Sequence, residues 1–564
     1  MTMIGRWGAT RLVVPPTLYF VIFFVLNPHL PSHFSSHFFF GGADGFQNAW
    51  NLWWVNEAAA RFTLPWFTTL LHYPDGTTLL GHTLNPFNGV MAIVLLKFLS
   101  LVETYNTIVV FSFVMGGVTA FWLCLEVTRS YVGSLMGGAV FTFSSFHFMH
   151  ADAHLQLAAL EWLPLFVLCW IRFCESPTVA RGVIAASVLF LVALCDLYYL
   201  AYSLIAGALF YIWKARQQRD AFFVARAGAG PVLGFLLPAS LTSGALIAAL
   251  LVQHARDPLT GTHSPRDLAM DLLSPFVWGY YWRFRDAVEP LWRPLSKHVT
   301  EASVYVGLSI VGMGIYALRR QSQQRIAYLP FWCAVAVFFG VMSLGPNLHV
   351  AGYEISLGIR RTILGHADVN LLVLPYAVFW LIFPPWRLAG VPLRMMVMVQ
   401  LVAAVFAAGG LQALLNSTWR WKHAAALAFL GLLLVDYLPM PMNVTEPRVP
   451  AYVNVLKNLP DGAVLDLVSP APQALFYQTV HRKPIAFGYV SRVPTSVDAR
   501  DQALAAAIVS GRWEQVAREY RFKYIAKDHR AAELLIRNLN GAELVEIDEA
   551  RRIYRGEGVS IYAF

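Results

Sequence analysis

Long apolar runs alternate with short polar connections along most of this chain. A helix needs about 20 predominantly apolar residues to cross the hydrocarbon core of a bilayer. The pattern therefore predicts about eleven transmembrane helices. They lie at residues 12–30, 107–127, 131–148, 156–173, 180–196, 197–213, 228–252, 302–318, 327–343, 394–414 and 423–439.

Two further apolar stretches do not fit this pattern cleanly. Residues 86–102 begin at Pro86 and are broken by Lys97, and residues 371–386 end in the letters FPPWR. Counting both as crossings would place several basic connections outside, whereas Lys and Arg favour the cytoplasmic side of a membrane. We therefore interpret both stretches as re-entrant or interfacial segments.

Charge in the short connections sets the predicted topology. With eleven crossings, every basic connection lies inside together with Arg6 and Arg11, and the C-terminus lies outside. The long loop 31–106 then also lies outside. The basic connections contain Arg129 and the stretches RFCESPTVAR, KARQQRD, RRQSQQR and WRWKH. Because positioned loops carry function, we expect the activity on the outer face.

The chain changes character near Asn443. About a quarter of the residues that follow are charged, far more than before this point. The pattern predicts a strand in AVLDLVS, helices in QALFYQTV and RWEQVAREYR, and a hairpin in RRIYRGEGVSIYAF. The sequence thus predicts an α-helical polytopic membrane domain at 1–442, with the long outer loop 31–106, and a small extracytoplasmic α/β domain at 443–564.

Composition agrees with a membrane protein and excludes several other classes. The 564 residues are 57% hydrophobic and 13% charged, against about 25% charged in soluble domains. The net charge of +9 fits basic inner loops and anionic lipid better than nucleic acid, for which no motif exists. The five cysteines lie in or beside apolar segments and predict no disulfide framework. No Walker loop, dinucleotide fingerprint, HExxH or nucleophile elbow occurs.

Asp44 stands in the stretch FFFGGADGFQNAWNLWW, just after the first apolar segment. One interpretation is a helix cap, with Asp44 capping and Gln47 reaching back, followed by an amphipathic helix whose tryptophans lie at headgroup depth. The other is a carboxylate that faces a reaction cavity. Both can hold together, since a cap residue can face a cavity.

A second cluster lies in FHFMHADAHLQLAALEW, at residues 146–162. His147, His150, Asp152 and His154 lie within eight positions, and on a helix His150 and His154 share one face. His and Asp in this arrangement suit a divalent metal or proton transfer. The alternative is that these histidines sit at the wet membrane interface, where ionisable groups cost little.

Two arginines flank the letters LAGVPL at the outer mouth of a predicted span. Arg394 opens an apolar helix, where an unpaired cation is costly. A lipid phosphate would pair with the positive charges of Arg387 and Arg394, and a carboxylate or a lipid headgroup would do the same.

In their order along the chain, these features resemble those of the membrane glycosyltransferases of the C-type fold (GT-C). They look similar in particular to bacterial members whose acceptor is not assigned. In that superfamily a catalytic acid lies near the start of the first outer loop, where Asp44 lies, and a further acid in the second, which points to Asp152. Gly45, however, replaces the second acid of the protein O-mannosyltransferases, and Val55 interrupts the WWD motif of oligosaccharyltransferases. The stretches that look similar are HADAHLQLAALEWLPL, TEASVYVGL, SLGPNLHVAG, GVPLRMMVM and QALFYQTVHRKPIAFGYVSRVP.

The resemblance implies an inverting hexosyl- or pentosyltransferase of cell-envelope or polysaccharide biosynthesis in a bacterial inner membrane. Its implied partners are a polyprenyl-phosphate sugar donor, membrane lipids, and a glycan, lipid or protein acceptor. Asp44 and Asp152 are the implied catalytic residues, and Arg387 and Arg394 are candidates to bind the donor phosphate. Mg²⁺ or Mn²⁺ at Asp152 and His154 is the implied cofactor. The alternative function is a non-catalytic lipid-glycan carrier or assembly factor of the same fold.

Overall fold

The chain divides into two compact units in the computed structural model. The helical unit comprises Met1–Ser32, Thr107–Leu246 and Thr262–Asn443, and the mixed unit comprises His33–Asn106, Ile247–Gly261 and Val444–Phe564. Arg6 and the last four residues of the RRQSQQR connection lie outside the described residues. The structure describes residues 9–261, 263–295, 298, 301, 303–321, 326–355, 373–388, 390–528 and 545–564.

Every apolar segment that predicts a transmembrane helix contains a helix in the structure. The longer helices of this part of the chain are Ala9–Leu26, Leu101–Thr128, Tyr131–Thr142, Ser145–Ala153, Trp162–Glu175, Val179–Cys195, Leu197–Gln218, Ala229–Ala239, Ala245–Arg256, Leu308–Arg319, Leu329–Ser343, Met396–Leu415 and Lys422–Asp436. A short π-helical turn, Ser240–Gly244, joins two of them. The two stretches interpreted as not crossing contain the short helices Pro86–Leu95 and Pro375–Ile382, of 10 and 8 residues.

Polar side chains explain where these helices are interrupted. The helix Tyr131–Thr142 ends just before Ser144. The Ser144 side chain caps the next helix by accepting a hydrogen bond from His147 N. Asp196 is extended and caps the helix Leu197–Gln218 through Tyr198 N. Within the described ranges, three helices are long and apolar enough to cross a membrane, namely Leu101–Thr128, Ala229–Arg256 and Pro392–Leu415. Eleven crossings therefore stay a prediction.

Reporter fusions test this topology. A reporter that is active only outside the cytoplasm should be active after Phe564, because eleven crossings leave that end outside. The same reporter should be inactive at Arg129 and at Arg320. An inactive reporter at Phe564 would overturn the count.

Small residues allow two helices of the helical unit to pack closely. Gly133 and Gly137 are one turn apart on the helix Tyr131–Thr142 and face the backbone of Met396–Leu415. A Cβ on Gly137 would lie 2.9 Å from the carbonyl oxygen of Ala404, and one on Gly133 would collide with that of Ala408. Glycines four residues apart are the usual means of bringing helix backbones together in membranes.

The mixed unit contains a four-stranded sheet with helices around it. The strand order is Ala463–Leu467, Phe522–Asp528, Val559–Ala563, Arg552–Gly556, with the first pair parallel and the others antiparallel. The strand, the two helices and the hairpin predicted after Asn443 are all confirmed. The helices are Asp44–Ala60, Pro86–Leu95, Ala451–Asn458, Ala471–His481, Thr495–Val509 and Trp513–Glu519, and the remaining short strands are Phe67–Thr68, Thr77–Thr78, Leu259–Thr260 and Val493–Pro494.

The tryptophans of the helix Asp44–Ala60 lie in a protein core. Trp50, Trp53 and Trp54 are 0%, 6% and 4% exposed and pack with apolar residues of the C-terminal region. Trp50 Nε1 donates a hydrogen bond to Gln478 Oε1 at 2.7 Å. These rings therefore contact protein and not lipid headgroups, while their depth in the membrane stays a prediction.

Candidate active site

Asp44 is the first residue of its helix and does not act as its cap. The N-cap position is Ala43, which makes no side-chain capping bond. The Gln47 side chain does not reach back: its Nε2 donates to Tyr489 O at 2.5 Å, and its Oε1 accepts from Thr83 Oγ1 at 2.9 Å. The capping-box interpretation is therefore wrong, because tertiary partners occupy both ends of the Gln47 amide.

The Asp44 carboxylate has a tyrosine partner from the far end of the chain. Tyr489 OH donates a hydrogen bond to Asp44 Oδ1 at 2.6 Å. That length is typical of a hydroxyl bound to an ionised carboxylate. The contact fixes the direction in which the carboxylate points.

His82 lies beside this pair and is held in its neutral form. Ser491 N donates to His82 Nδ1 at 3.1 Å, so Nε2 carries the ring proton and donates to Asn51 Oδ1 at 3.0 Å. Burial is the main cause that lowers the pKa of His82 to about 3; the Asp44 carboxylate opposes this shift, and the positive charge of Arg492 adds to it. Both ring nitrogens are therefore engaged.

These assignments leave one proton acceptor among the side chains just described. The hydroxyl of Tyr489 is a donor, the guanidinium of Arg492 carries only N–H donors, and His82 has no unused nitrogen lone pair. The Asp44 carboxylate can take a proton from a hydroxyl placed against it.

Asp152 lies in the helical unit and accepts hydrogen bonds from two side chains. Tyr281 OH donates to its Oδ2 at 3.0 Å, and Asn443 Nδ2 lies 3.1 Å and 3.2 Å from its two oxygens. Burial and the neighbouring carboxylate raise the pKa of Tyr281, so its hydroxyl keeps the proton that it donates. Asp152 is thus fixed as an acceptor.

The histidines predicted to cluster near Asp152 separate into two groups. His150 Nδ1 and His154 Nδ1 lie 3.4 Å apart, and His154 Nε2 lies 3.7 Å from Glu301 Oε1. His147 points elsewhere, with Nδ1 2.8 Å from Thr142 O. His147 and His150 are fully buried, so the wet-interface interpretation is wrong for these two.

Arg394 is buried and paired with a carboxylate. Its Nη2 and Nε donate to the two oxygens of Glu301 at 2.5 Å and 3.3 Å, and its guanidinium lies over the Tyr198 ring. Burial favours the neutral acid, but Arg394 and His154 outweigh it and hold the pKa of Glu301 below its usual range. The carboxylate that the sequence allowed as an alternative partner is therefore Glu301.

Arg387 has a different environment. Its side chain is exposed, lies 5.1 Å from the Trp380 ring centre, and makes long contacts of 3.5 Å and 3.4 Å to the carbonyl oxygens of Trp380 and Leu381. Its charge is directed to the surface, unlike that of Arg394.

Sequence reasoning missed the partners that orient these groups. In the sequence, Tyr489 and Glu301 are marked only by the resemblance of the stretches that contain them, QALFYQTVHRKPIAFGYVSRVP and TEASVYVGL. No local signal marks Tyr489 or Tyr281, because each acts through a residue far away in the chain: 445 residues separate Tyr489 from Asp44, and 129 separate Tyr281 from Asp152.

Two solved glycosyltransferase structures are similar to this fold. Arabinofuranosyltransferase AftD from Mycobacteria superposes with a TM-score of 0.55 at 13% identity, over 98% of this chain and 40% of that one. The oligosaccharyltransferase of Archaeoglobus fulgidus in its apo form gives a TM-score of 0.50 at 12% identity, over 94% of this chain and 70% of that one. The predicted GT-C-like architecture is confirmed, and with its apolar helices it indicates a multi-pass membrane protein.

Sequence comparison assigns the family. No curated protein matches the chain. A family described as a domain of unknown function, DUF6311, matches residues 15–368. Because that match covers more than half of the sequence, the chain belongs to the DUF6311 family.

Proposed function

We propose that this protein is a membrane glycosyltransferase that moves a hexose or pentose from a polyprenyl-phosphate donor to an extracytoplasmic acceptor. The acceptor is a cell-envelope glycan, a lipid or a protein, and the membrane is the bacterial inner membrane. The observation that carries the proposal is the Asp44 carboxylate, oriented by Tyr489 beside a neutral His82, in a chain with a GT-C-like fold.

The proposed reaction is a single displacement at the sugar's anomeric carbon. The acceptor hydroxyl gives its proton to Asp44 while its oxygen bonds to that carbon. The bond from the carbon to the phosphate oxygen breaks, and the electron pair leaves with polyprenyl phosphate. Attack opposite the leaving group inverts the configuration of the sugar.

The departing phosphate needs positive charge, for which we propose Arg387 and Arg394. Arg387 is exposed and can meet a headgroup directly. Arg394 presents its planar fork to Glu301, the same geometry with which arginine binds phosphate. Binding of the donor at Arg394 therefore requires exchange of the Glu301 carboxylate for the phosphate.

Asp152 is the second proposed catalytic carboxylate. Tyr281 and Asn443 hold it in one orientation, as a group that positions an acceptor hydroxyl requires. It is also the candidate base if Asp44 is not one.

A divalent metal is a further proposal. Asp152 and His154 offer oxygen and nitrogen donors of the kind that Mn²⁺ accepts. Within the part of the chain that the structure describes, however, no three His, Cys, Asp or Glu side chains are grouped to hold a metal ion. The residues as arranged do not form a complete site, and the steps above therefore use none.

Metal removal tests that proposal. If Asp152 and His154 hold a divalent ion, EDTA should lower transfer at least tenfold, on the scale seen when metal sites are perturbed, and Mg²⁺ or Mn²⁺ should restore it. Mn²⁺ binding, followed by electron paramagnetic resonance, should weaken in Asp152→Asn and in His154→Ala. Full activity in EDTA would remove the metal and leave Arg387 and Arg394 as the phosphate's partners.

Product analysis tests the function itself. The purified protein in lipid nanodiscs is incubated with a panel of polyprenyl-phosphate hexoses and pentoses and with envelope glycan and lipid fractions as acceptors. We expect release of polyprenyl phosphate together with a glycosylated acceptor. Donors that bind but stay intact across the whole panel would favour a carrier instead.

A further inference from the structure

The segment 488–492 is held in place by several contacts within the mixed unit. Gln47 Nε2 binds the carbonyl oxygen of Tyr489, and Ser491 N binds the ring of His82. Arg492 donates to the carbonyl oxygens of Gly261 and Ser491 at 2.9 Å and 2.8 Å. The backbone on both sides of Tyr489 is therefore fixed.

The Tyr489 ring is fixed as well. It packs against the apolar cluster that contains Trp50 and Val490, and it is partly buried. Its hydroxyl reaches Asp44 Oδ1 at 2.6 Å. A tyrosine has two side-chain torsions, and this packing restricts the ring movement that would carry the hydroxyl away from the carboxylate.

We propose that Tyr489 is a positioning residue for transfer, which holds the Asp44 carboxylate ionised and oriented toward the acceptor hydroxyl. This inference rests on the proposed function. It gives the C-terminal region, which carries no catalytic motif, a direct part in the active site.

The physical effect of the contact has a definite sign. A hydrogen bond donated to a carboxylate stabilises the ionised form and not the protonated one. Bonds to charged groups are stronger than those between neutral groups. Loss of the Tyr489 hydroxyl must therefore make Asp44 easier to protonate and freer to rotate.

Infrared titration measures the protonation of Asp44 and does not require that the substrate be known. The difference between the carboxyl bands of the wild type and of Asp44→Asn reports the protonation of Asp44 alone. In Tyr489→Phe the midpoint should rise by about one to two pH units. With 3-fluorotyrosine at position 489, a stronger donor that keeps the packing, the midpoint should fall. A midpoint that neither change moves would overturn the proposal.

Tyr524→Phe is the matched control. Tyr524 is a buried tyrosine of the same unit whose hydroxyl donates to Pro460 O at 2.9 Å, so its loss tests for general effects on folding. It should leave the Asp44 titration unchanged. If Tyr489→Phe does not fold, the fluorotyrosine protein still decides the question.

Activity separates this inference from the function on which it rests. Tyr489→Phe should lower turnover by about tenfold and move the acid limb of the pH profile of kcat/KM upward, and it should add nothing in an Asp44→Asn background. A wild-type profile in Tyr489→Phe, with Asp44→Asn inactive, would refute the inference alone. Full activity of Asp44→Asn would refute the role of Asp44 as base, whatever the infrared midpoints.

Discussion

Asp44→Asn is expected to give a folded, membrane-inserted protein that transfers sugar at least a hundredfold more slowly than the wild type. The amide keeps the shape of the side chain and can still accept the hydrogen bond from Tyr489, but it cannot take the acceptor's proton. Loss of a general base typically costs about 10²–10⁴ in rate. Initial rates of polyprenyl-phosphate release measure the effect.

Asp75→Asn is the control for this change. Asp75 lies in the same unit, is exposed, and makes only a 3.6 Å contact with Arg500 among its described ion pairs. Its replacement should leave the rate within about twofold, as surface changes usually do. Near-normal turnover in Asp44→Asn would shift the base to Asp152.

Arg394→Met is expected to destabilise the protein by about 3–5 kcal/mol, because it leaves Glu301 buried without its counter-charge. The Arg394 and Glu301 side chains are 8% and 13% exposed, so water screens the pair weakly. The double variant Arg394→Met/Glu301→Gln should recover most of this loss, since no isolated charge remains. Thermal unfolding in detergent, followed for the wild type, both single variants and the double variant, measures the coupling.

Lipid-phosphate binding distinguishes a structural pair from a donor site. Glu301→Gln should bind undecaprenyl phosphate several-fold more tightly than the wild type, because the guanidinium no longer has to exchange a carboxylate for the phosphate. Arg387→Met provides the comparison: its guanidinium is exposed, so stability should be unchanged while binding weakens. Unaltered binding in Glu301→Gln and in Arg394→Met would remove Arg394 from the donor site.

Local patterns explain why most of the fold could be predicted from the sequence. Apolar runs determine helices whatever their neighbours, and each segment from 12–30 to 423–439 contains one. The alternating residues and the tight turn of RRIYRGEGVSIYAF are sufficient to predict the hairpin that Arg552–Gly556 and Val559–Ala563 form. The division of the chain differs from the predicted one, because residues 33–106 pack with the C-terminal region.

The parts of the site that could not be predicted all depend on distant partners. Asp44 and Gln47 fit a capping box locally, but Tyr489 and Thr83 bind them instead. The tryptophan-rich face of Asp44–Ala60 looks lipid-facing until the C-terminal helices cover it. Composition and spacing carry no information about such pairings, and a single sequence therefore yields the chemical groups but not their partners.

Donor consumption in proteoliposomes tests the central claim most directly. Wild type and Asp44→Asn are reconstituted side by side with a polyprenyl-phosphate sugar labelled in the sugar and with an acceptor on the outer side. We predict that the wild type moves the label from the lipid to the acceptor and leaves polyprenyl phosphate, while Asp44→Asn retains the label on the lipid. Movement of the intact labelled lipid across the bilayer by both proteins, with no polyprenyl phosphate formed, would contradict the account.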